Sequence, residues 1–292
     1  MLLGAVFEPK VRGSSIRVGE GDAIVNRPWE ATPIARALHW HGWGGRGGSL
    51  PLLAATDIGE IVHLKLQANP QSTRSLVNDW IGTQLGRALG VPVPRPLLVS
   101  VEFADIATFP ILRSRRWRPG LQFATRWVPQ CRRVMLPWAT ESLPSNYADI
   151  PLIVLFELWL DNHDLKISHL RLCGQPDRQF LLVTDHGYMA GGARWTPRTL
   201  KQRRYELPQL RILEGLMTGL PSPLTCQDAV ARMQQIRRND LVSVVRSVPA
   251  EWGLSPSHQA ALVDFLMARL PYVPSVARRL ERWAVDRALR RV

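Results

Sequence analysis

Two aspartates stand in short polar stretches of an otherwise apolar part of the sequence. The stretch HDLKISHL, residues 163–170, carries Asp164 and Lys166, and Asp185 opens the sequence DHG after an apolar run. The residues between the two aspartates suffice for a loop and a hairpin, which would bring both carboxylates to one place. Two carboxylates held together repel each other unless a cation such as Mg²⁺ joins them. The spacing therefore predicts a divalent cation here.

A glycine-rich segment and two charged residues precede these stretches. The segment GWGGRGGS, residues 42–49, could place backbone N–H groups against phosphate oxygens, since glycine has no Cβ to block the approach. Lys65 follows on a predicted strand, and Asp79 lies on the next predicted helix. Only four of the 37 basic residues are lysines, so a lysine here is informative. An ion pair between Lys65 and Asp79 would aim the lysine at bound phosphates.

Phosphoryl transfer requires these parts in this order. It needs a backbone-rich loop over the phosphates, a lysine that holds them, metal ligands, and an acid that positions the attacking hydroxyl. Each part alone has a simpler explanation, because glycine-rich loops are often flexible turns, strand lysines often point to water, and aspartates often cap turns. The combination favours an ATP-dependent phosphotransferase, with Asp164 and Lys166 at the reacting hydroxyl.

The hydrophobic pattern predicts the elements that position these residues. Alternation predicts strands at 59–67, 96–103, 121–128 and 180–184, and apolar stripes predict helices at 72–90, at 150–160 and beyond residue 200. This order predicts an α+β fold of two lobes. The N-lobe, residues 1–128, would be β-rich with one helix, and the C-lobe, residues 129–292, would be mainly helical. A ligand cleft is expected between the lobes.

The chain is strongly basic. Its 37 basic and 24 acidic residues give a net charge of +13, which attracts nucleotides, nucleic acid, acidic proteins and anionic membranes alike. The best candidate for nucleic-acid binding is RSRRWRPG, residues 113–120, where arginines flank a tryptophan. A basic turn is the simpler interpretation, so direct nucleic-acid binding is the less favoured alternative. The arginines of the last predicted helix, residues 275–292, form either a solvated face or a docking surface for an acidic partner.

The cysteines and the apolar segments are used to predict the cellular compartment of the protein. Cys131, Cys173 and Cys226 are odd in number and widely spaced, so neither a zinc site nor a disulfide framework is predicted. Residues 1–13 lack a positive region and a cleavage site, and they are predicted to form a strand instead of a signal peptide. No run of about 18 apolar residues is present. We therefore expect a cytoplasmic protein with no membrane association.

Three stretches of the sequence resemble the HipA-like kinase family, which includes bacterial toxin Ser/Thr kinases. They are the segment from GGSLPLL to PRPLLVSV, the stretch FELWLDNHDLKISHLRL with LLVTDHG, and VPAEWGLSPSHQAALVDFLMARLP, and together they cover roughly residues 44–272. The resemblance implies a two-lobed protein-kinase-like fold. It also implies an ATP-dependent Ser/Thr protein kinase that uses Mg²⁺.

The resemblance also implies which residues hold the nucleotide. Gly47, Gly48 and Ser49 would contact the ATP phosphates, and Lys65 would bind the α- and β-phosphates. Asp79 stands where a glutamate is usual in the family. Its side chain is one methylene shorter, so the sequence does not decide whether Asp79 reaches Lys65.

The same resemblance makes Asp164 the acid that orients the substrate hydroxyl and Asp185 a ligand of Mg²⁺. Two neighbouring positions depart from the family pattern, since Leu165 stands where a polar residue is usual and His169 where the family has a metal-binding asparagine. Mg²⁺ prefers oxygen ligands, so His169 would suit Mn²⁺ better.

The retained residues favour an active kinase with altered metal binding, because Lys65, Asp164 and Asp185 are all present. The alternative is a catalytically impaired nucleotide-binding pseudokinase that acts by sequestering a partner. The expected partners are ATP, a protein substrate and, as in toxin–antitoxin pairs, an antitoxin.

Overall fold

The fold is seen in a computed structural model. The structure describes residues 28–44, 49–68, 70–109, 118–136, 138, 143–204, 211–217, 220 and 225–289. Several sequence predictions therefore lie outside the described residues. They are the N-terminal strand at 1–13, the glycines Gly47 and Gly48, most of the basic stretch 113–120, and the end of the last helix.

Five strands close into a barrel in the N-terminal part of the described chain. They are β1 (Ile34–Trp43), β2 (Leu52–Thr56), β3 (Ile61–Lys65), β4 (Pro96–Val101) and β5 (Gly120–Arg126), in the order β1-β2-β3-β5-β4. Neighbours are antiparallel except β1 and β4, which pair in parallel and close the barrel. Val62 and Leu64 fill the barrel core, so Lys65 lies on the other face of β3, as the alternation predicted.

Two helices accompany the barrel. The long helix α1 (Thr73–Leu89) follows Ser72 and ends at Gly90, whose left-handed φ of 79° stops it, as predicted. The short helix α2 (Phe103–Thr108) was not predicted. It forms because Glu102 and Asp105 make a capping box, which also ends β4 earlier than expected.

The C-terminal part combines a small sheet with helices. The sheet has the order β6-β7-β8 and is antiparallel, with β6 (Cys131–Arg133), β7 (Leu170–Cys173) and β8 (Phe180–Val183). The central helix α3 (Ile150–Leu160) is buried at every residue, which explains its apolar sequence on all sides. Around it lie α4 (Pro197–Gln202), α5 (Arg211–Met217), α6 (Gln227–Gln234), α7 (Arg238–Arg246), α8 (Pro256–Arg269) and α9 (Val273–Leu289).

The structure has two apolar cores, and α1 belongs to the helical one. The barrel encloses its own small core, whereas Trp80 and its apolar neighbours on α1 pack with α3 and the C-terminal helices. Trp80 donates a hydrogen bond to Ser247 Oγ at 2.9 Å and makes an edge-to-face contact with Trp252. Trp252 in turn donates to the carbonyl oxygen of Leu121 on β5 at 2.7 Å. These contacts fix α1 against the C-terminal part and tether the barrel to it.

Cys131 and Cys173 form a disulfide, so the expectation that no disulfide is present was wrong. The two residues are 42 positions apart and face each other only because β6 pairs with β7, which spacing alone cannot reveal. Cys226 is a free buried thiol, and burial raises its pKa to about 12. The expected cytoplasmic location loses the support it drew from the cysteines and stays a prediction.

One helical segment of the described chain is long and apolar enough to cross a membrane by length and composition. It spans Pro256–Val285 and joins α8 to α9, and 44% of its most apolar window is buried inside the protein. Leu262, Phe265 and Leu266 account for part of this burial, since they pack in the helical core. The expectation of no membrane association was based on finding no such stretch, and it stays a prediction.

Candidate active site

Lys65 lies between two carboxylates where the barrel meets the helical part. Its Nζ is 2.8 Å from Asp79 Oδ2 and 2.9 Å from Asp185 Oδ1. Burial alone would lower the pKa of Lys65, but Asp185 and Asp79 outweigh burial and raise the pKa far above its usual value. The lysine is therefore charged at any physiological pH. We call these three residues the ion triad.

The ion triad shows that Asp79 pairs with Lys65, which the sequence did not decide. Asp79 reaches Lys65 despite its short side chain, because the buried face of α1 holds this helix close to the barrel. Burial raises the pKa of Asp79, while the Lys65 ammonium pulls it back. Asp79 Oδ1 accepts a second hydrogen bond, at 2.9 Å, from the backbone N–H of His186. One carboxylate thus joins the barrel, α1 and the DHG turn.

Asp185 follows β8 in a left-handed backbone conformation with φ of 72°. Such a conformation costs a residue other than glycine about 1–3 kcal/mol and is concentrated at functional sites. Burial would raise the pKa of Asp185, but Lys65 and His169 outweigh it and lower the pKa far below its usual value. The turn therefore presents a permanently ionised carboxylate.

His169 stands beside Asp185, with its Nε2 3.4 Å from Asp185 Oδ2. Its carbonyl oxygen accepts hydrogen bonds from the backbone N–H and the hydroxyl of Thr184, at 2.9 and 3.0 Å. Burial lowers the pKa of His169, against the opposing pull of Asp185 and Asp164. The ring is therefore neutral at pH 7, the form in which imidazole ligates metals. Its Nδ1 is buried and has no hydrogen-bond partner in the structure.

Asp164 and Lys166 form an ion pair of 2.7 Å at the edge of the same site. Lys166 is largely exposed, and Asp164 is about one-third exposed. The backbone N–H of Asp164 points to Asn162 Oδ1 at 3.4 Å, which orients the loop. Both aspartates act on the His169 ring, so the hairpin β7–β8 does bring their carboxylates into one neighbourhood.

Glu157 and His186 were missed by the sequence analysis. Both are completely buried, and His186 Nε2 lies 3.1 Å from Glu157 Oε1. Burial would lower the pKa of His186, but Glu157 outweighs it and raises the pKa, so the two form an ion pair. Glu157 Oε2 also accepts a hydrogen bond of 2.7 Å from Asn162 Nδ2. The only signal in the sequence was one glutamate inside the apolar helix α3.

Glu157 therefore connects the two loops of the site. Through Asn162 it holds the loop that carries Asp164, and through His186 it holds the turn that carries Asp185. Asn162 Nδ2 reaches the Asp185 carbonyl oxygen as well, at 3.4 Å. A buried carboxylate with both oxygens in use fixes these loops relative to each other.

The predicted phosphate loop is described only at its two ends. Ser49 is buried just before β2, and Gly47 and Gly48 lie outside the described residues. Gly44 donates a hydrogen bond to the carbonyl oxygen of Pro51 at 2.7 Å, and its own carbonyl oxygen is 3.1 Å from the His63 ring. These contacts close the base of the loop.

The donor set fits a cation that is bound together with a phosphate group. Mg²⁺ is commonly held by one or two carboxylates plus substrate phosphates. The ion triad carries a net charge of −1 when all three groups are ionised, and His169 adds a neutral ring nitrogen. Within the described ranges, no group of three or more His, Cys, Asp or Glu residues could hold a metal by itself. A cation here would therefore depend on the nucleotide.

The comparison with protein families decides the assignment of this part of the chain. Residues 46–190 match the model of the HipA-like kinase. This segment is similar to the HipA-like kinase family. The matched range contains the ion triad, Asp164 and His169, and it confirms the family resemblance of the sequence.

Two solved structures that are similar to this chain are structures of kinases. The structure of the proinflammatory kinase CtkA of Helicobacter pylori has a TM-score of 0.53 and 13% identity, and the match covers 84% of this chain and 94% of that chain. A Golgi casein kinase has a TM-score of 0.45 and 10% identity, over 85% of this chain and 72% of that chain. None of the curated proteins compared matches the chain. The likeness to CtkA confirms the α+β, two-lobed protein-kinase-like fold.

Proposed function

We propose that this protein transfers the γ-phosphate of ATP to the hydroxyl of a Ser or Thr in a protein. The observation that carries the proposal is the charged side chain of Lys65, 13% exposed and held between Asp79 and Asp185. A lysine that is fixed by two acids and still reaches the surface can receive phosphate oxygens at a defined place. The family similarity supports the kinase activity, and the acceptor class is our extension of it.

The nucleotide would bind with its phosphates against Lys65 and the loop that ends at Ser49. Lys65 would hold the α- and β-phosphates, and Asp79 would keep the lysine in position. Gly47, Gly48 and Ser49 would offer backbone N–H groups to the remaining phosphate oxygens.

The reacting hydroxyl would lie at Asp164. This carboxylate is partly exposed and can accept a hydrogen bond from the incoming hydroxyl, which orients the oxygen for in-line attack. Lys166 is within ion-pair distance of Asp164 and would balance the negative charge that develops on the transferred group. The hydroxyl proton would pass to Asp164 as the new P–O bond forms, while the bond between the γ-phosphorus and the β–γ bridging oxygen breaks and ADP leaves.

Asp185 and His169 would hold the divalent cation. Bound there, Mg²⁺ or Mn²⁺ would neutralise phosphate charge next to the leaving oxygens. His169 offers a neutral nitrogen where Mg²⁺ prefers oxygen, and this favours Mn²⁺. The same feature supports the second candidate, a nucleotide-binding pseudokinase that works by holding a partner such as an antitoxin.

The test combines ATP binding by calorimetry, with Mg²⁺, Mn²⁺ or no metal, with transfer of radiolabel from ATP. The variants are Asp164→Asn and Asp185→Asn, and the control is Asp264→Asn, which changes an exposed carboxylate on α8. Metal-dependent binding and transfer that both variants abolish, and the control retains, would support the kinase. Binding without transfer to any acceptor would favour the pseudokinase, and the absence of ATP binding would refute both.

A further inference from the structure

A cavity of about 230 Å³ borders α3 at Leu155, Leu158 and Trp159. It is formed by the last turns of α3, the end of α8 and the first turns of α9. This size is below that of a typical drug-sized site, but it exceeds the volume of several water molecules. None of its lining residues belongs to the ion triad or to the Asp164 loop.

The walls of the cavity are apolar, and its polar groups are mostly cationic. Leu155, Trp159 and Val276 contribute apolar surface, and Arg204, Arg269 and Arg279 also line it. No aspartate or glutamate is among the described residues that line it. Arg269 lies 3.9 Å from the buried Asp161 carboxylate, which balances its charge. Arg204 and Arg279 have no such partner among the described residues, so they would attract an anion that enters.

The three arginines differ in what they already bind. Arg269 is committed to the protein, since it donates to the carbonyl oxygens of Trp159 and Leu158 at 2.7 and 2.6 Å and so caps α3. Arg204 Nε is buried and has no hydrogen-bond partner among the residues that the structure describes, a state that proteins rarely leave uncompensated. Arg279 is exposed, and no acceptor contacts it among the described residues. Arg204 and Arg279 can thus serve a ligand.

We propose that this cavity binds a small amphiphilic anion, a molecule with an apolar body and one carboxylate or phosphate group. The apolar body would lie against Trp159, Leu155 and Val276. The anionic group would take its hydrogen bonds from Arg204 and Arg279. An apolar pocket with a few convergent polar groups is the usual form of a small-molecule site. The proposal is independent of phosphoryl transfer.

The experiment measures binding to the full chain by calorimetry. The probes are octanoate and octyl phosphate, which carry both features, with octanol as a tail without charge and acetate as a charge without a tail. We expect saturable single-site binding of octanoate, octyl phosphate or both, weakened by added salt, and no saturation with octanol or acetate. The tighter of the two anions identifies the head group.

Three variants test the assignment of the arginines. Arg204→Gln and Arg279→Gln should each weaken binding about tenfold, the loss expected for a hydrogen bond to a charged group. Arg278→Gln is the matched control, because Arg278 is an exposed neighbour on α9 that does not line the cavity. It should leave the affinity unchanged within about twofold.

A second kind of variant distinguishes loss of the binding site from loss of folding. Ser275 is exposed at the cavity, so Ser275→Phe should block it while all arginines remain, and circular dichroism would confirm that the chain is folded. Binding that is lost in Ser275→Phe and retained in Arg278→Gln supports the proposal. The absence of saturation up to about 1 mM, octanol binding as tight as octanoate, or full affinity in Arg279→Gln would each overturn it.

Discussion

Replacing Glu157 by alanine should destabilise the protein far more than replacing it by glutamine. Glu157 is buried and uses one oxygen for His186 and the other for Asn162. Alanine leaves the His186 imidazolium without its counter-charge and removes the acceptor of the Asn162 amide. Glutamine keeps both contacts, because its oxygen can accept from Asn162 while its amide group donates to a neutral His186 ring.

The structure sets the size of this difference. Removing one partner of a buried ion pair costs about 3–5 kcal/mol, and leaving a buried amide poorly bonded adds about 1 kcal/mol. The Nδ2 group of Asn162 then retains only its longer contact, 3.4 Å, with the Asp185 carbonyl oxygen. At about 2.1 cal/mol/K per residue, the unfolding entropy of 292 residues converts a loss of about 4–6 kcal/mol into a Tm lower by about 7–10 °C. For Glu157→Gln we expect a loss of about 1 kcal/mol.

The pH dependence provides a second, independent readout. The pKa of His186 is raised in the folded state, so its contribution to stability is full below its unfolded pKa of about 6.5 and is lost as pH rises through the folded value. The native protein should therefore lose stability as pH increases above about 6.5. This loss should be absent in Glu157→Gln, because above about pH 6.5 its His186 is neutral in both the folded and the unfolded state.

Urea unfolding at a series of pH values would measure both quantities. The control is Asp264→Ala, which removes the partner of an exposed arginine, Arg238, and should cost less than about 1 kcal/mol. Equal losses of stability in Glu157→Ala and Glu157→Gln would contradict the prediction, because they would show that the packing and hydrogen bonds that glutamine retains contribute nothing to stability. An unchanged pH dependence in Glu157→Gln would refute the charged state assigned to His186.

Three further changes have defined outcomes. His169→Asn should retain or raise label transfer with Mg²⁺ and should reduce the preference for Mn²⁺ in a metal titration; loss of transfer with both metals would contradict the role of His169. Asp161→Asn should cost about 2–3 kcal/mol: burial would raise the pKa of Asp161, but hydrogen bonds from His163 and Arg203 lower it. The Asp161 carboxylate therefore contributes to stability above about pH 3.9, and this contribution is lost as pH falls. The stability of Asp161→Asn should accordingly fall less steeply with decreasing pH than that of the native protein. The same pH dependence in both proteins would contradict this assignment. Cys131→Ala should cost about 4 kcal/mol by the loop entropy of a 42-residue separation, measured by urea unfolding with a thiol count; equal stability of the variant and the native protein would argue against a disulfide.

The sequence predicted the elements whose pattern is local. The alternation at β3 and the apolar stripe of α1 depend on backbone geometry that neighbouring residues determine, so Lys65 and Asp79 were placed on the correct elements. The contacts that depend on distant packing were not predictable. Glu157 meets His186 only once α3 is buried beneath the DHG turn, and Cys131 meets Cys173 only across a strand pair. In each case the spacing in the chain carries no information about the approach.

Opening of the nucleotide site would divide the ion triad unequally. Because α1 shares its core with the C-terminal helices, Asp79 would stay with Asp185 in one rigid part while the barrel rotates away. Lys65 would then be the member of the ion triad that moves with the barrel, and its two ion pairs hold the barrel and the C-terminal part together. Leu121 accepts the hydrogen bond of Trp252, so the barrel is joined to the C-terminal part at this end of β5. Phosphate bound at Lys65 would add another negative group next to the lysine while Asp79 still holds it, which would couple nucleotide binding to the closing of the two parts.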